Sequence, residues 1–178
     1  MEGSSKCLRA GELMGADKTF RGNASQFFVA GELCRRGYYA VVTLGNAANT
    51  DILCSNVAGT KFVHIQVKTY VPGNKTCSVG QKAEKEYQDN FFWVLGGIRE
   101  PDDEGPNEFY VIPASVMSRE TKAMHQRWLD TPGKDGQPHK ESTVRTTFAT
   151  PTGTSSPSTR SRTSPGPSTA AWPWMRSS

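Results

Sequence analysis

Four residues, Gln66, Lys68, Asp51 and Glu32, have types and spacing that suggest chemistry. Gln66 and Lys68 stand two apart in the middle of "KFVHIQVKTY" (residues 61–70), a stretch otherwise of strand type. A strand places residues i and i+2 on one face. Gln66, Lys68 and His64 therefore point one way, and Val63, Ile65 and Val67 point the other way, into a core. Lysine is costly to bury without a partner, so the polar face must meet something. Asp51 opens a second apolar run in "TDIL". If the two strands pair as a hairpin, Asp51 and the Gln66/Lys68 face meet at one sheet edge. A helix packed across that sheet would deliver Glu32, which stands in the "GEL" stretch among apolar neighbours.

That set suits phosphoryl transfer assisted by a hard cation. Mg²⁺ takes oxygen ligands in octahedral geometry, commonly one or two carboxylates with waters and phosphate oxygens. Asp51 offers a carboxylate. The Gln66 amide oxygen and the Val67 backbone carbonyl offer neutral ligands. Glu32 would bind directly or through a water. Lys68 would orient or deprotonate an attacking water, or stabilise charge on the pentavalent phosphate.

The elements that must position these residues follow from hydrophobic period and turn chemistry. Residues 23–36, "NASQFFVAGELCRR", show apolar positions near helical spacing, with Asn23 as N-cap and Gly37 as stop. Residues 38–44, 50–56 and 61–70 read as three strands joined by turns at "GNAAN" and Ala58-Gly59. Residues 72–82 read as a loop, and 83–89 as a helical turn. Residues 90–98 and 109–113 read as strands, flanking an acidic Pro/Gly loop. A helix over 114–129 carries Val116, Met117, Met124, Trp128 and Leu129 on one stripe. The expected class is α/β, a mixed central sheet flanked by helices.

Residues 22–69 resemble the PD-(D/E)XK nuclease superfamily, the restriction-endonuclease-like fold. The likeness is nearest to its Holliday-junction-resolvase-like and small bacterial nuclease-like members. That family has a helix carrying Glu, then a strand with Asp, then a strand with (D/E)xK, which "QVK" at 66–68 resembles here. By position Glu32, Asp51, Gln66 and Lys68 take the catalytic roles, and Asp51, Gln66, Val67 and Glu32 the metal-binding ones. The resemblance implies an αβββαβ core, a Mg²⁺ cofactor with Mn²⁺ as substitute, and a nucleic-acid partner, DNA above all. It is also compatible with a homodimer, because cutting both strands of a duplex takes two sites. Gln66 departs from the usual Glu or Asp, and Thr50 stands where Pro is usual. The alternative is a catalytically inactive copy of the fold that binds nucleic acid or protein. An unrelated small α/β domain is the third reading.

Composition bounds these readings. The chain has 178 residues, enough for one ordinary domain. Its net charge of +4 is unevenly placed: residues 1–150 hold 18 Lys and Arg against 17 Asp and Glu, and residues 151–178 hold three Arg and no acid. Bulk charge thus makes no case for a nucleic-acid binder. Any phosphate contact must come from a local cluster. The four cysteines lack CxxC spacing and do not combine with His64, His125 or His139 into a zinc pattern. Cys34 and Cys54 are expected to be buried. No secretory signal or membrane span is legible, so the cytosol is the expected compartment. The expected organisation is a frayed segment over 1–20, a nuclease-like domain over 21–130, a domain end or linker over 131–150, and a disordered tail over 151–178. In that tail 18 of 28 residues are Ser, Thr or Pro, too polar to offset the entropy of ordering.

Each candidate also has a plainer structural reading. Lys68 would reach solvent over its aliphatic stem. Asp51 would close an Asx turn at Asn49. Glu32 would sit on a solvated helix face. Arg35 and Arg36 would contact phosphates or satisfy the helix C-terminus. His64 reads as a part-buried sheet residue, "DDE" at 102–104 as a solvated charge run, and Phe91, Trp93 and Trp128 as core.

Overall fold

The computed structural model describes residues 18–44 and 47–149. In chain order these form α1 (Lys18–Arg35), β1 (Tyr39–Val42), β2 (Ile52–Ser55), β3 (Phe62–Tyr70), β4 (Thr76–Ser78), a 3-10 turn (Gln81–Glu84), β5 (Phe91–Gly97), β6 (Glu108–Pro113), α2 (Ala114–Asp130) and β7 (Thr146–Phe148). The readings of 1–17 and 150–178 lie outside the described residues.

Helix α1 buries Ser25, Val29, Ala30 and Leu33, a stripe at three- and four-residue spacing. Full burial of a Val or Leu stabilises by about 1.5–3 kcal/mol, so Val29 and Leu33 anchor the helix. Gly37 ends it as expected. With φ of 87° it closes a Schellman motif, in which Tyr38 N–H donates to Leu33 C=O at 3.1 Å and Gly37 N–H to Cys34 C=O at 2.9 Å. The start differs from the sequence expectation. The helix reaches back to Lys18, and Asn23 lies inside it rather than capping it. A tertiary contact outweighs the local cap signal here: Arg21, in the added turn, pairs with Glu100.

The five strands β1-β2-β3-β5-β6 make one mixed sheet in that order. β1 to β2, β2 to β3 and β5 to β6 are antiparallel, and β3 to β5 is parallel. The parallel step needs a crossover. Residues 71–90 supply it with β4 and the 3-10 turn in place of an α-helix. Register assigns the faces. Ile65 opposes Phe92 and Val67 opposes Val94, and all four join Val29, Leu33 and Ile52 in the core beneath α1. Gln66 opposes Trp93 and Lys68 opposes Leu95 on the other face, where Trp93 and Leu95 pack with Met117 and Ala114 of α2. β5 is sandwiched between both cores and is buried throughout, hence its unbroken apolar run.

Three local expectations are corrected. Residues 72–82 are not only loop: they contain β4, which pairs with β7 from the stretch read as domain end or linker. Trp128 is not core. It is 39 % exposed, and its ring stacks on His139 with centroids 4.1 Å apart. The helix turns Ala114, Met117, Ser118 and Thr121 inward instead. Cys54 is buried as expected but Cys34 is exposed, and Cys34, Cys54 and Cys77 are free thiols. Among the described residues no helix is long and apolar enough to cross a membrane.

Arg145 fastens the closing segment. It is buried, and its guanidinium donates to Glu84, to Glu141 at 3.1 Å, and to the carbonyls of Ser142 and Val144. Replacing Arg145 by Ala leaves Glu84 without its cation in a mostly buried place. The expected loss is about 3 kcal/mol of stability, read as a lower urea midpoint by far-UV circular dichroism. An unchanged midpoint would show that the Arg145 guanidinium contributes no net docking energy.

Candidate active site

Asp51 stands one residue before β2, and its backbone is tied on both sides. Its N–H donates to Ile65 C=O and its C=O accepts from Thr43 N–H, each at 2.9 Å. Thr43 Oγ1 also donates to the neighbouring Thr50 C=O at 2.5 Å. Asn49, with φ of 61°, turns the chain into this position, a conformation Asn tolerates better than most residues. The antiparallel pairing of β2 with β3 ends at Ile52 opposite Ile65. Beyond it the Val67 N–H still needs an acceptor. Asp51 Oδ2 supplies one at 2.7 Å, and the same oxygen accepts from Gln66 Nε2.

The structure therefore brings Asp51, Gln66, Val67 and Lys68 together. Lys68 lies close enough for its charge to favour the ionised Asp51 carboxylate. Burial nevertheless wins: desolvation raises the Asp51 carboxyl above the ordinary aspartate value, against the Val67 bond, the Lys68 charge and the Gln66 bond. The Lys68 charge also reaches the Cys77 thiol, which burial still pushes up to about 11. His64 shares this face and lies 3.2 Å from Thr50 Oγ1 through its Nδ1. Thr43 and Thr50 carry no motif signal. Only the hairpin shows that they brace the loop leading to Asp51.

Glu32 is held differently. Its hydrogen bonds are with Arg35, at 2.7 and 2.8 Å, and with Arg36 at 2.7 Å, rather than with that group. These bonds hold its carboxyl down at about 2 despite partial burial. The helix that carries it packs on the Val63/Ile65/Val67 side of the sheet, opposite to Gln66 and Lys68. Arg35 and Arg36 thus serve Glu32 in this structure. The "DDE" run is exposed, and Asp103 pairs with Arg99 at 2.8 Å.

The donor chemistry fits a hard cation of modest charge demand. Among the described residues no three His, Cys, Asp or Glu side chains cluster to hold a metal. The group at Asp51 is instead one carboxylate beside neutral oxygens, the kind of set Mg²⁺ completes with waters and phosphate oxygens. Both bonds to the carboxylate fall on Oδ2, so Oδ1 is the oxygen a cation would meet. Rotation of the Gln66 amide about its last bond would exchange Nε2 for Oε1 on that side.

A raised carboxyl makes a signed prediction. The folded chain binds the Asp51 proton more tightly than the unfolded chain, so this group's contribution is most favourable at low pH. It declines as pH rises through the ordinary aspartate value toward the raised one. Asp51→Asn removes the ionised group and still offers an oxygen to Val67 N–H. The variant should melt about 2–4 °C above the parent at pH 7 without divalent metal. That gain should vanish as pH falls below the Asp51 titration. A variant less stable than the parent at pH 7 would mean that the Lys68 and Val67 interactions outweigh desolvation.

No protein-family model matches the sequence, and no curated protein matches it significantly. Among solved structures it is similar to that of a bacterial homing endonuclease, I-Ssp6803I, at 19 % identity and a TM-score of 0.40. The similarity covers 58 % of this chain and 70 % of that one.

Proposed function

We propose that the chain is a metal-dependent nuclease that hydrolyses phosphodiester bonds, most simply in DNA. The observation that carries this reading is the convergence of a desolvated aspartate, a glutamine amide and a lysine at the end of the β2–β3 hairpin. A buried carboxylate that is costly to ionise becomes favourable when a cation shares the site. Asp51 would hold Mg²⁺ or Mn²⁺, with the Gln66 amide oxygen and the Val67 carbonyl. When bound, the ion supplies Lewis-acid stabilisation of charge on the phosphoryl oxygens. Lys68 would place its ammonium against the attacking water and the charge that develops on phosphorus. Glu32 joins this set through the family resemblance alone. To reach a cation it would have to exchange its bonds to Arg35 and Arg36.

A second reading has its own support. Gln66 stands where the family most often has a carboxylate, and Glu32 is neutralised by two arginines. Both features suit an inactive copy of the fold that binds nucleic acid or protein.

Two variants separate these readings. Lys68→Ala should cut plasmid, linear duplex or four-way junction about 10²–10³-fold more slowly, the loss of one electrostatic stabiliser, with binding nearly intact. Equal rates would remove Lys68 from the mechanism. Gln66→Glu adds a carboxylate and should tighten Mg²⁺ binding. In a working enzyme it changes the rate within about tenfold. In an inactive copy whose defect is position 66, only the variant cuts. No cutting by either protein, with no metal bound, would favour the binding module.

A further inference from the structure

Strand β1 ends the sheet, and among the described residues it pairs with β2 alone. Thr43 N–H donates to Asp51 C=O at 2.9 Å, so these two residues form a hydrogen-bonded pair just past the end of β1. Bonded and non-bonded pairs alternate along an antiparallel ladder, so Val41 and Tyr39 also turn their backbone groups to β2. The N–H and C=O groups of Ala40 and Val42 therefore point outward, away from the sheet. The Cys34 thiol donates weakly to Ala40 C=O, at 3.8 Å. Free backbone groups along a sheet edge are a template for another strand, and natural edges are commonly defended by charge or proline. From Tyr38 to Leu44 the chain has neither.

The Cys34 contact also identifies the side of α1 that overhangs this edge. Phe20, Ala24, Phe27, Gly31 and Cys34 follow one another at three- and four-residue spacing and form one stripe of the helix. Phe20 is 69 % exposed and Phe27 65 %. A Cβ on Gly31 would meet nothing, which leaves a gap one turn from the Phe27 ring. No residue from Gly22 to Gly31 is charged, although the solvent side of a surface helix is ordinarily polar. Beneath the stripe, Tyr39 and Val41 of the edge strand are also more than half exposed. Strand edge and helix stripe thus make one uncharged band. Its outward backbone groups call for an extended strand, and its uncharged flanks give an ionic partner nothing to pair with. A second copy meets both demands. It brings the same free strand, the same aromatic rings and the same gap at Gly31, and no like charges approach when the two bands meet.

We propose that two copies of the chain pair through β1, antiparallel about a two-fold axis at Val41, and so join their sheets into one. Ala40 then exchanges both backbone hydrogen bonds with the partner's Val42, and Val42 with the partner's Ala40. Val41 faces the partner's Val41 at the non-bonded position, with Cα atoms about 4.5 Å apart. The axis runs perpendicular to the sheet, so both α1 helices lie on one side and their stripes meet above the joined edges. Strand rise and spacing put the two Asp51 residues about 20 Å apart. The pairing stands apart from the nuclease reading, since it needs no chemistry at Asp51.

The experiment is analytical ultracentrifugation of the full chain at about 1–100 μM, the range of a micromolar dimer. EDTA and a reductant are present, so that neither metal nor a Cys34 disulfide links copies. The wild type should sediment as a dimer. Val41→Lys and Val41→Glu each set like charges opposite one another across the axis, and each alone should dimerise at least about 100-fold more weakly. Mixed in equal amounts, the two variants should regain the dimer, because a Lys then faces a Glu. Val57→Lys, at a comparably exposed valine in the β2–β3 turn, should leave the dimer unchanged. These side chains are exposed, so the variants should fold, and circular dichroism checks this. A monomeric wild type across the whole range overturns the proposal. So do single Val41 variants that remain dimeric, a mixture that stays monomeric, or equal loss of the dimer in Val57→Lys. Plasmid cutting in Mg²⁺ is measured alongside. A wild-type dimer with the expected variant pattern and no cutting upholds the pairing and sinks the nuclease reading. Cutting by a wild-type monomer does the reverse.

Discussion

The pairing of Ile52 with Ile65 and of Cys54 with Val63 sets how the second strand lies on the third, and the candidate site follows from that register. A strand's side chains alternate with period two, so a slip of one residue would send Asp51 to the face of Val63, Ile65 and Val67. The slip is blocked by what it would expose. Ile52, Cys54, Val63 and Ile65 are buried together beneath α1, and turning them outward would forfeit most of the first core. The polar group is thus positioned by apolar residues that never touch its chemistry. Thr43, Thr50 and Asn49 then brace the turn from which Asp51 projects, so the carboxylate meets Val67 N–H where β2 has run out.

Two carboxylates on the same small domain carry opposite electrostatic burdens. Glu32 is only partly buried and has two guanidinium partners, so its ionised form is favoured and its carboxyl is held down at about 2. Its stabilising contribution is present above the ordinary glutamate range and disappears only as pH falls through that low value. Asp51 has one nearby cation and two neutral donors, and burial outweighs them. Charge is therefore comfortable at Glu32 and uncomfortable at Asp51. The two acids are therefore held in opposite ways by their surroundings and are not interchangeable in this structure.

Unequal covering of the sheet gives the molecule a second level of organisation. A five-stranded sheet with helices over one face and half of the other leaves an open half-face, and the polar group lies along its boundary. His64, Gln66 and Lys68 stand opposite Phe91, Trp93 and Leu95, all residues of the second core, so that core walls the polar group on its β5 side. Gly97 keeps that wall tight, because a Cβ there would meet the Tyr70 ring at 2.8 Å.

Much of this was legible in the sequence, because local physics sufficed. The alternation in "KFVHIQVKTY" separates Gln66 and Lys68 from Val63, Ile65 and Val67 without reference to any other segment, and the structure keeps that division. Gly37 ends α1 because few other residues adopt its left-handed turn cheaply. The unbroken apolar run at 90–98 reads as a strand, and the structure buries that strand throughout. What tertiary structure alone decided rests on partners distant in the chain. Helix α1 extends past Asn23 to Lys18, the added turn holding the Arg21 pair with Glu100, 79 residues away. β4 exists because Thr146–Phe148 returns to pair with it, and three residues carry too little period to announce a strand alone. Trp128 lies outside the core because α2 turns Ala114, Met117, Ser118 and Thr121 inward, a choice made by packing against the surface beneath it. The partners of Glu32 and the bonding of Asp51 to Val67 and Gln66 were likewise beyond the sequence. Residue types name the groups able to meet, but only packed strands and helices set which groups come within hydrogen-bonding distance.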